Sequence, residues 1–542
     1  MLRKVKKLPR NIYNMKKNYD FVIIGAGSAG CVLANRLSAN GQNSVLILES
    51  GSNDKALNIQ IPAQFSKLYK TKFDYDYATT PQKNMKNREL YLPRGKTLGG
   101  SSSINAMIYI RGSKHDYNEW SALGNEGWSY DEVLPYFKKS ENQEAINDEY
   151  HSQGGPLNVT NRIYTNPLSD VFVKAAQELG YKFNSDFNGT KQEGFGLYQV
   201  THKDGARCST ARAYLHPASK RKNLTIEANA QVERIVIEDN CVTGVIYHQK
   251  GKACEVVVNK EVILSAGAYN SPQILMLSGI GDGQELQKHK IPVKEHLPGV
   301  GKNLQDHLTS SSIFNSSYKG SLDSAEKFPI IVKYLFQYLL SKKGPFTSNV
   351  GEAGGFIKSS ADQPTVDIQF HFGPCYFVNH GFDNPKKGNG YSIGGLVLNP
   401  TSKGSVKLSS SDFRVSPSID HNYLSTDDDM RRSIAGYKIA EKLGLSDAFK
   451  AYRSDYFMPE QPLTDDKAIE DYIRETAETV YHPTSTCKMG TDNMAVVDSQ
   501  LRVHGVKKLR VVDASVMPNV TRGNTNAPTI MIAEKASDMI LK

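Results

Sequence analysis

The segment Tyr19–Gly51, YDFVIIGAGSAGCVLANRLSANGQNSVLILESG, decides the architecture of this chain. Phe21 to Ile24 is a short apolar run with the composition of a buried strand. Gly25-Ala-Gly27-Ser28-Ala29-Gly30 follows directly, then Val32, Leu33 and Leu37 at helical spacing, then a second apolar run, Val45 to Leu48. Glu49 closes that run, 19 residues after Gly30. Each glycine has its own physical reason. Gly25 permits a tight turn, Gly27 lets the backbone approach a pyrophosphate, and Gly30 allows close packing of helix on strand. The helix that opens at Ser28 and Ala29 holds a diphosphate at its N-terminus, and Glu49 accepts from ribose hydroxyls. A glycine-rich turn alone would explain neither Glu49 nor the flanking runs. The motif predicts a dinucleotide site without separating NAD from FAD, although its place at the start of a long chain favours FAD.

The chain has 542 residues, enough for about two domains at roughly 100–250 residues each. Hydrophobic residues make up 39% and charged residues 23%, a globular balance able to bury a sizeable core. The formal net charge of +10 is spread along the chain, so no nucleic-acid partner is expected. Cysteines stand at 31, 208, 241, 254, 375 and 487 with no CxxC pair, which predicts a reduced, intracellular and cytoplasmic protein. No apolar run reaches the roughly 18 residues of a membrane span. The first 19 residues carry seven Lys/Arg and no acid. Residues 1–17 read as a basic tail, or Met15 is the true start. A transit peptide fits less well, because serine is absent and the amphipathic spacing is poor.

Further segments stand out. RGKTLGGSSSINAMIYIRG spans Arg94–Gly112, and its small residues Gly99 to Ser103 suit backbone packed against a flat ligand. GAYNSPQILMLSGIG spans Gly267–Gly281 and places Pro272 in the first turn of a helix, where its missing N–H costs little. LPGVGKNLQDHL follows at Leu297–Leu308. Toward the C-terminus come TVYHPTSTCKMG (Thr479–Gly490), RVVDASVMP (Arg510–Pro518) and RGNTNAPTIMIAEKASDMI (Arg522–Ile540).

Taken together, from about residue 18 to the end, the chain resembles the glucose–methanol–choline (GMC) oxidoreductases. The resemblance implies FAD, oxidation of an alcohol by hydride transfer to flavin N5, and an α/β fold. That fold joins a Rossmann-like FAD-binding domain to a substrate domain with an antiparallel sheet and helices. Residues 18–308 would form mainly the FAD-binding domain with part of the substrate domain inserted. Residues 309–478 would form mainly the substrate domain, and 479–542 a catalytic segment returning to the FAD domain. Arg94 to Ser101, including Gly99 and Gly100, match the segment passing the FAD diphosphate. Asn105, Ala106 and Met107 match the stretch beside the flavin ring. Ile104 stands where some relatives bond FAD through a histidine, which implies FAD held without that covalent link. Val232 matches the residue whose backbone meets adenine, and Asp513 and Ala514 match a second diphosphate contact.

From Ala527 onward the C-terminal segment reads as a helix, with Asn526 as N-cap and Pro528 in its first turn. Its free N–H groups and positive end would stabilise negative charge on a reduced flavin. The alternative is an ordinary C-terminal helix. Alcohol oxidation needs a base for the hydroxyl proton and a polar group for the oxygen, and neutral imidazole suits the first role. By resemblance His482 is the base and Asn524 its partner. From the residue alone a satisfied core histidine is the favoured reading, and the resemblance reverses it. A His482/Cys487 metal site lacks further ligands, so no metal is expected. No GxSxG elbow supports a hydrolase.

On the substrate side, Glu352 in SNVGEAGGF matches a pocket carboxylate that helps hold trimethylammonium in choline-oxidising relatives, beside an aromatic cage. Tyr481 is available for such a cage, but the only tryptophans, Trp120 and Trp128, lie in a distant segment. The expected activity is oxidation of a primary alcohol to an aldehyde, with choline dehydrogenation as the alternative. Light-driven fatty-acid decarboxylation needs a cysteine and an arginine that VLNPTSKG (Val397–Gly404) does not hold. A flavin-bound protein without catalysis would lack one of His482 and Asn524. Oxygen, a quinone or a soluble carrier remain open as electron acceptor. FPIIVKYLFQYLLSKKG (Phe328–Gly344) is an apolar helix with a narrow polar stripe of Lys333, Gln337 and Ser341. It reads as a helix buried on most faces, as a gate, or as a peripheral membrane contact.

Overall fold

The structure is a computed structural model that describes residues 17–542, so the basic tail read over residues 1–17 lies outside it apart from Lys17. The opening motif folds as a β-α-β unit: β1 (Lys17–Ile24), α1 (Ser28–Leu37) and β2 (Val45–Leu48). Phe21 to Ile24 and Val45 to Leu48 are buried on both faces, which explains their unbroken apolar runs. β1 lies between β2 and β3 (Lys252–Leu264), parallel to both, and Leu224–Glu227 adds a parallel strand beyond β2. β3 serves two neighbours along its other side. Lys252 to Val257 pair antiparallel with Cys241–Gln249, which pairs in turn with Ala230–Glu238. Val262 to Leu264 pair in parallel with Leu509–Val511, so the C-terminal segment returns to the first sheet.

α1 and the C-terminal helix Asn526–Leu541 contribute buried apolar residues to one core with these strands. A bidentate pair joins the two helices: Arg36 donates to both oxygens of the fully buried Glu534, at 2.9 and 2.7 Å. Tyr214 also donates to Glu534, at 2.9 Å.

The second sheet runs Arg453–Met458, Leu308–Ser316, Gly390–Val397, Ile368–Gly373, Ala353–Ile357, Gly194–Leu197, antiparallel throughout. Glu478–Thr479 pairs with its Leu308 end. Helix Asp427–Leu445 packs on one face. A Cβ on Gly395 would stand 2.9 Å from the Gly436 carbonyl, so strand and helix backbones touch there. The architecture is mixed α/β, a parallel-centred sheet beside an antiparallel one. No described helix is long and apolar enough to cross a membrane.

The start of the helix that carries Pro272 differs from expectation. α2 (Gly267–Leu277) starts five residues before Pro272, so the proline is interior rather than in the first turn. Its missing N–H would orphan the Ala268 carbonyl, but the Thr486 hydroxyl donates to that oxygen at 2.7 Å.

A buried charge cluster ties Arg111 to Glu141 at 2.8 Å and His151 to Glu141 and Asp186 at 3.1 and 3.0 Å. Burial alone would lower the His151 pKa, but the hydrogen bonds to Asp186 and Glu141 reverse the sign and raise it to about 9. Both ring nitrogens face carboxylates, which favours an imidazolium over a metal ligand, although Asp148, His151 and Asp186 lie within 4.8 Å of one another. The resulting stabilisation is complete below the ordinary pKa of 6.5 and is lost as pH rises through about 9. His151→Gln should therefore lower Tm most at pH 6–7, with the gap to the unmodified protein closing by pH 10. A gap that widens with pH overturns the assignment.

Candidate active site

A cavity of about 620 Å³ runs between the two sheets. Ala230, Gln231, Val232 and Phe413 line part of it, and Gly25, Gly27, Ser28, Ala29 and Glu49 another part. Its wall continues through Arg94, Gly100, Ser101, Asn105, Ala106 and Met107 to Tyr481, His482 and Asn524.

The glycines do three different things. Gly25 has φ +97°, and a Cβ there would meet the Ser265 carbonyl at 2.5 Å. A Cβ on Gly30 would stand 1.9 Å from the Gly25 carbonyl, the close helix–strand contact. A Cβ on Gly27 would meet nothing within 4 Å and would point into open space. Gly99 and Gly30 lie behind the lining, and Gly99 N–H donates to the Ala26 carbonyl at 2.8 Å. Gly100 backs onto Gly27. No side chain caps α1, whose first amides open onto the cradle. The buried Glu49 accepts from the amides of Ala26 and Gly51 at 2.9 and 2.8 Å, and burial pushes its pKa up. Asp513 accepts from Gly267 N, Ser271 Oγ and Ser515 N, pinning the start of α2, with Ala514 beside it on the wall. An open glycine cradle, uncapped helix amides and a buried acid at the end of β2 fit a dinucleotide such as FAD.

At the other end stands the histidine. Asp306 is buried and holds the loop of His482 from both sides: Oδ1 accepts from the amides of His482 and His307 at 2.7 and 2.9 Å. Its Oδ2 accepts from Thr479 and Tyr423 at 2.5 and 2.6 Å. Arg94 donates to the Tyr481 carbonyl at 2.6 Å, so its guanidinium braces the same loop. His482 Nδ1 lies 3.0 Å from His307 Nδ1, and His482 Nε2 lies 3.2 Å from Asn524 Nδ2.

This geometry sets the tautomers. His307 Nε2 is 2.8 Å from the Leu398 carbonyl, which accepts only, so that nitrogen carries the proton. His307 Nδ1 is then an acceptor, His482 Nδ1 donates to it, and His482 Nε2 keeps its lone pair toward Asn524. Burial first, then the neighbouring His307, His371 and Arg94, hold the His482 pKa well below 6.5; burial also lowers His307, to about 4. Both rings are therefore neutral at pH 7. The partner amide is oriented as firmly. Gln369 Nε2 donates to Asn524 Oδ1 at 3.2 Å and to Tyr198 Oη at 3.0 Å, while Tyr198 donates to the Phe370 carbonyl at 2.6 Å. Asn524 thus presents its NH2 to the cavity end.

Two family models match, both described as GMC oxidoreductase, over residues 19–309 and 400–533. The chain belongs to the GMC oxidoreductases. It is 45% identical over 529 residues to Alcohol dehydrogenase [acceptor] of Pseudomonas putida, covering 97% of this chain and 96% of that protein. It is 44% identical over 535 residues to the mitochondrial choline dehydrogenase of Mus musculus, covering 97% and 90%. Among solved structures, pyridoxine 4-oxidase from Mesorbium loti superposes with a TM-score of 0.88 at 31% identity, covering 96% and 99%. A formate oxidase from Aspergillus oryzae RIB40, in work on FAD modification, gives 0.91 at 27%, covering 97% and 98%. The chain is an oxidoreductase acting on CH–OH donors.

Two sequence-based placements in this GMC oxidoreductase need correction. Glu352 is fully buried and does not line the cavity. Its oxygens accept from Asn166 N, Ser169 Oγ and Ser348 Oγ at 2.7, 2.7 and 2.6 Å, so it braces the second sheet against the segment from Asn166. Asn526 is not the N-cap: the C-terminal helix begins at Asn526 with Thr525 before it, and no side chain caps it. Asn526 Oδ1 instead accepts from Ser28 Oγ at 2.7 Å, tying the two helix N-termini together. Pro528 remains in the first turn, behind the cavity wall. Cys487 is buried in the first core, and burial pushes its thiol pKa up.

Several residues were missed. Phe65, Tyr69 and Phe377 join Tyr481 as an aromatic wall, with Tyr69 and Tyr481 edge-to-face at 5.7 Å. Tyr481 has φ +72°, and its hydroxyl lies 2.6 Å from His380 Nδ1. No local spacing marks these aromatics, which come from three separate segments. Asp306 and His307 stand in LPGVGKNLQDHL, where an acid next to a histidine just before a strand was a usable signal. Gln369 sits inside a strand and carries no signal of its own.

Proposed function

We propose that this GMC oxidoreductase oxidises a primary, uncharged alcohol to an aldehyde. The observation that carries the reading is His482, with its Nε2 lone pair held beside the Asn524 NH2 at one end of the cavity. FAD, when bound without a covalent bond in the cradle at α1, supplies the hydride acceptor at flavin N5. His482 Nε2 takes the hydroxyl proton, and Asn524 donates to the alcohol oxygen as charge builds on it. The C-terminal helix is uncapped, and Thr525 and Asn526 at its start line the cavity, so its free N–H groups would stabilise negative charge on a reduced flavin. Val232 would meet the adenine, and Arg94 would act through the His482 loop.

The aromatic wall favours a second reading, choline, because ring faces attract a quaternary ammonium. The acids that line the cavity among the described residues are Glu49, Glu478 and Asp513. Glu49 and Asp513 accept from backbone amides, and Glu478 is paired with Arg88. With no carboxylate unpaired on that wall, an apolar alcohol fits better than a cationic one. A panel of alcohols, choline included, mixed anaerobically with the flavin-loaded protein tests this. Aliphatic or benzylic primary alcohols should bleach the flavin at least about tenfold faster than choline, and subsequent exposure to air shows whether oxygen serves as acceptor. Bleaching by choline alone overturns the substrate assignment; no bleaching by any alcohol overturns the activity.

A further inference from the structure

The helix α3 (Ile330–Ser341) was open to three readings, and its burial separates them. Its inner side rests on the body of the protein: Tyr338 is buried, and Ile331, Tyr334 and Leu335 pack toward Ile61 and Phe346. Its outer side is bare. Phe336 is 61% exposed and Leu340 86%, with Ile330, Val332 and Leu339 also exposed, and Phe328, two residues before the helix, is 84% exposed. Phe328, Phe336 and Leu340 are the three most exposed large apolar side chains among the described residues, and all lie within one stretch of chain. Scattered apolar side chains on a surface are ordinary, but a contiguous bare face marks a contact.

The rim is basic. Lys327, Lys333, Lys342 and Lys343 flank the face; the acids nearby are Glu326, 3.4 Å from Lys67, Asp323, which is half-buried and hydrogen-bonded within the fold, and Asp383, which accepts from Asn379. Lys327 also donates to the Gly388 carbonyl at 2.7 Å, which brings the exposed Lys386 and Lys387 alongside. A second copy of this chain on that face would set lysines against lysines. An anionic surface satisfies both features: acyl chains for the apolar side chains and headgroups for the ammonium groups.

We propose that α3 docks onto the anionic headgroup surface of a phospholipid bilayer, with Phe328, Phe336 and Leu340 inserted and the lysines at headgroup level. The helix lies next to the cavity wall. Tyr338 donates to the Gln60 carbonyl at 3.4 Å, and Phe65, in the short helical segment Pro62–Leu68 that follows, lines the cavity. A docked enzyme would thus hold its aromatic wall near the apolar phase. This inference stands on exposure and charge, independently of which alcohol is oxidised.

The test is sedimentation of the flavin-loaded full chain with phosphatidylcholine vesicles, with or without about one third phosphatidylglycerol, at low and high salt. Binding is expected with the anionic vesicles and should weaken with salt. Phe336→Ser/Leu340→Ser should lower the partition coefficient roughly tenfold or more, with FAD content and Tm unchanged. Because Trp120 and Trp128 are both fully buried, Phe336→Trp adds a reporter whose emission should shift to the blue on anionic vesicles. Absence of partition into anionic vesicles overturns the proposal, as does equal binding by the double variant. A vesicle-independent dimer abolished by the same substitutions overturns it in favour of self-association.

Discussion

His482→Ala should yield a folded protein that retains FAD yet is reduced by its alcohol roughly 10²–10⁴-fold more slowly, the usual span for loss of a general base. The imidazole is held by its environment rather than holding it. Asp306 secures the loop through the His482 amide, and Arg94 secures it through the Tyr481 carbonyl. Neither contact uses the side chain, so truncation leaves the loop and the cradle at α1 in place. Asn524→Ala should slow the same step by about 10²-fold, the scale of one lost donor to a developing oxyanion. Because burial and then His307 lower the His482 pKa well below 6.5, the base is already free at neutral pH. The reduction rate should therefore stay level from pH 8 down to about 6.5 and fall only at lower pH. Stopped-flow flavin bleaching reads all three. Unchanged reduction in His482→Ala removes the base assignment, and loss of FAD alone in Asn524→Ala removes the pocket placement.

Gly27→Ala and Gly30→Ala should separate cofactor binding from folding. The two positions are three residues apart in one motif, but their missing side chains face opposite environments. At Gly27 a methyl would enter open space, and φ of −77° suits alanine, so the apoprotein should fold with an unchanged circular dichroism spectrum. The same methyl intrudes where the diphosphate is proposed to lie, and FAD affinity should drop by roughly 10–100-fold, the scale of 1–3 kcal/mol of overpacking. At Gly30 the methyl carbon would stand 1.9 Å from the Gly25 carbonyl, and backbone must move. That variant should lose several kcal/mol and appear mostly as aggregated apoprotein. Intact FAD affinity in Gly27→Ala would place the diphosphate elsewhere.

Much of this protein was legible in contiguous residues. The turn at Gly25, the cradle at Gly27 and the contact at Gly30 are backbone properties of a six-residue stretch, and the two apolar runs around it form adjacent strands in the first sheet. The motifs from Arg94 to Asn526 likewise carry family membership in local spacing. Contacts across the chain were not legible. The tautomer of His482 depends on His307, 175 residues away, and the orientation of Asn524 on Gln369, 155 residues away. Glu352 sat in a promising sequence context, but Asn166, Ser169 and Ser348 turned its carboxylate into a buried brace. The composition of α3 was plain in the sequence, whereas its bare face follows from which neighbours pack beneath it. Local spacing prescribes backbone shape, because steric limits and hydrogen-bond periodicity act over a few residues. Protonation, side-chain aim and exposure were decided by the tertiary structure, because burial and partner geometry belong to contacts that only the folded chain creates.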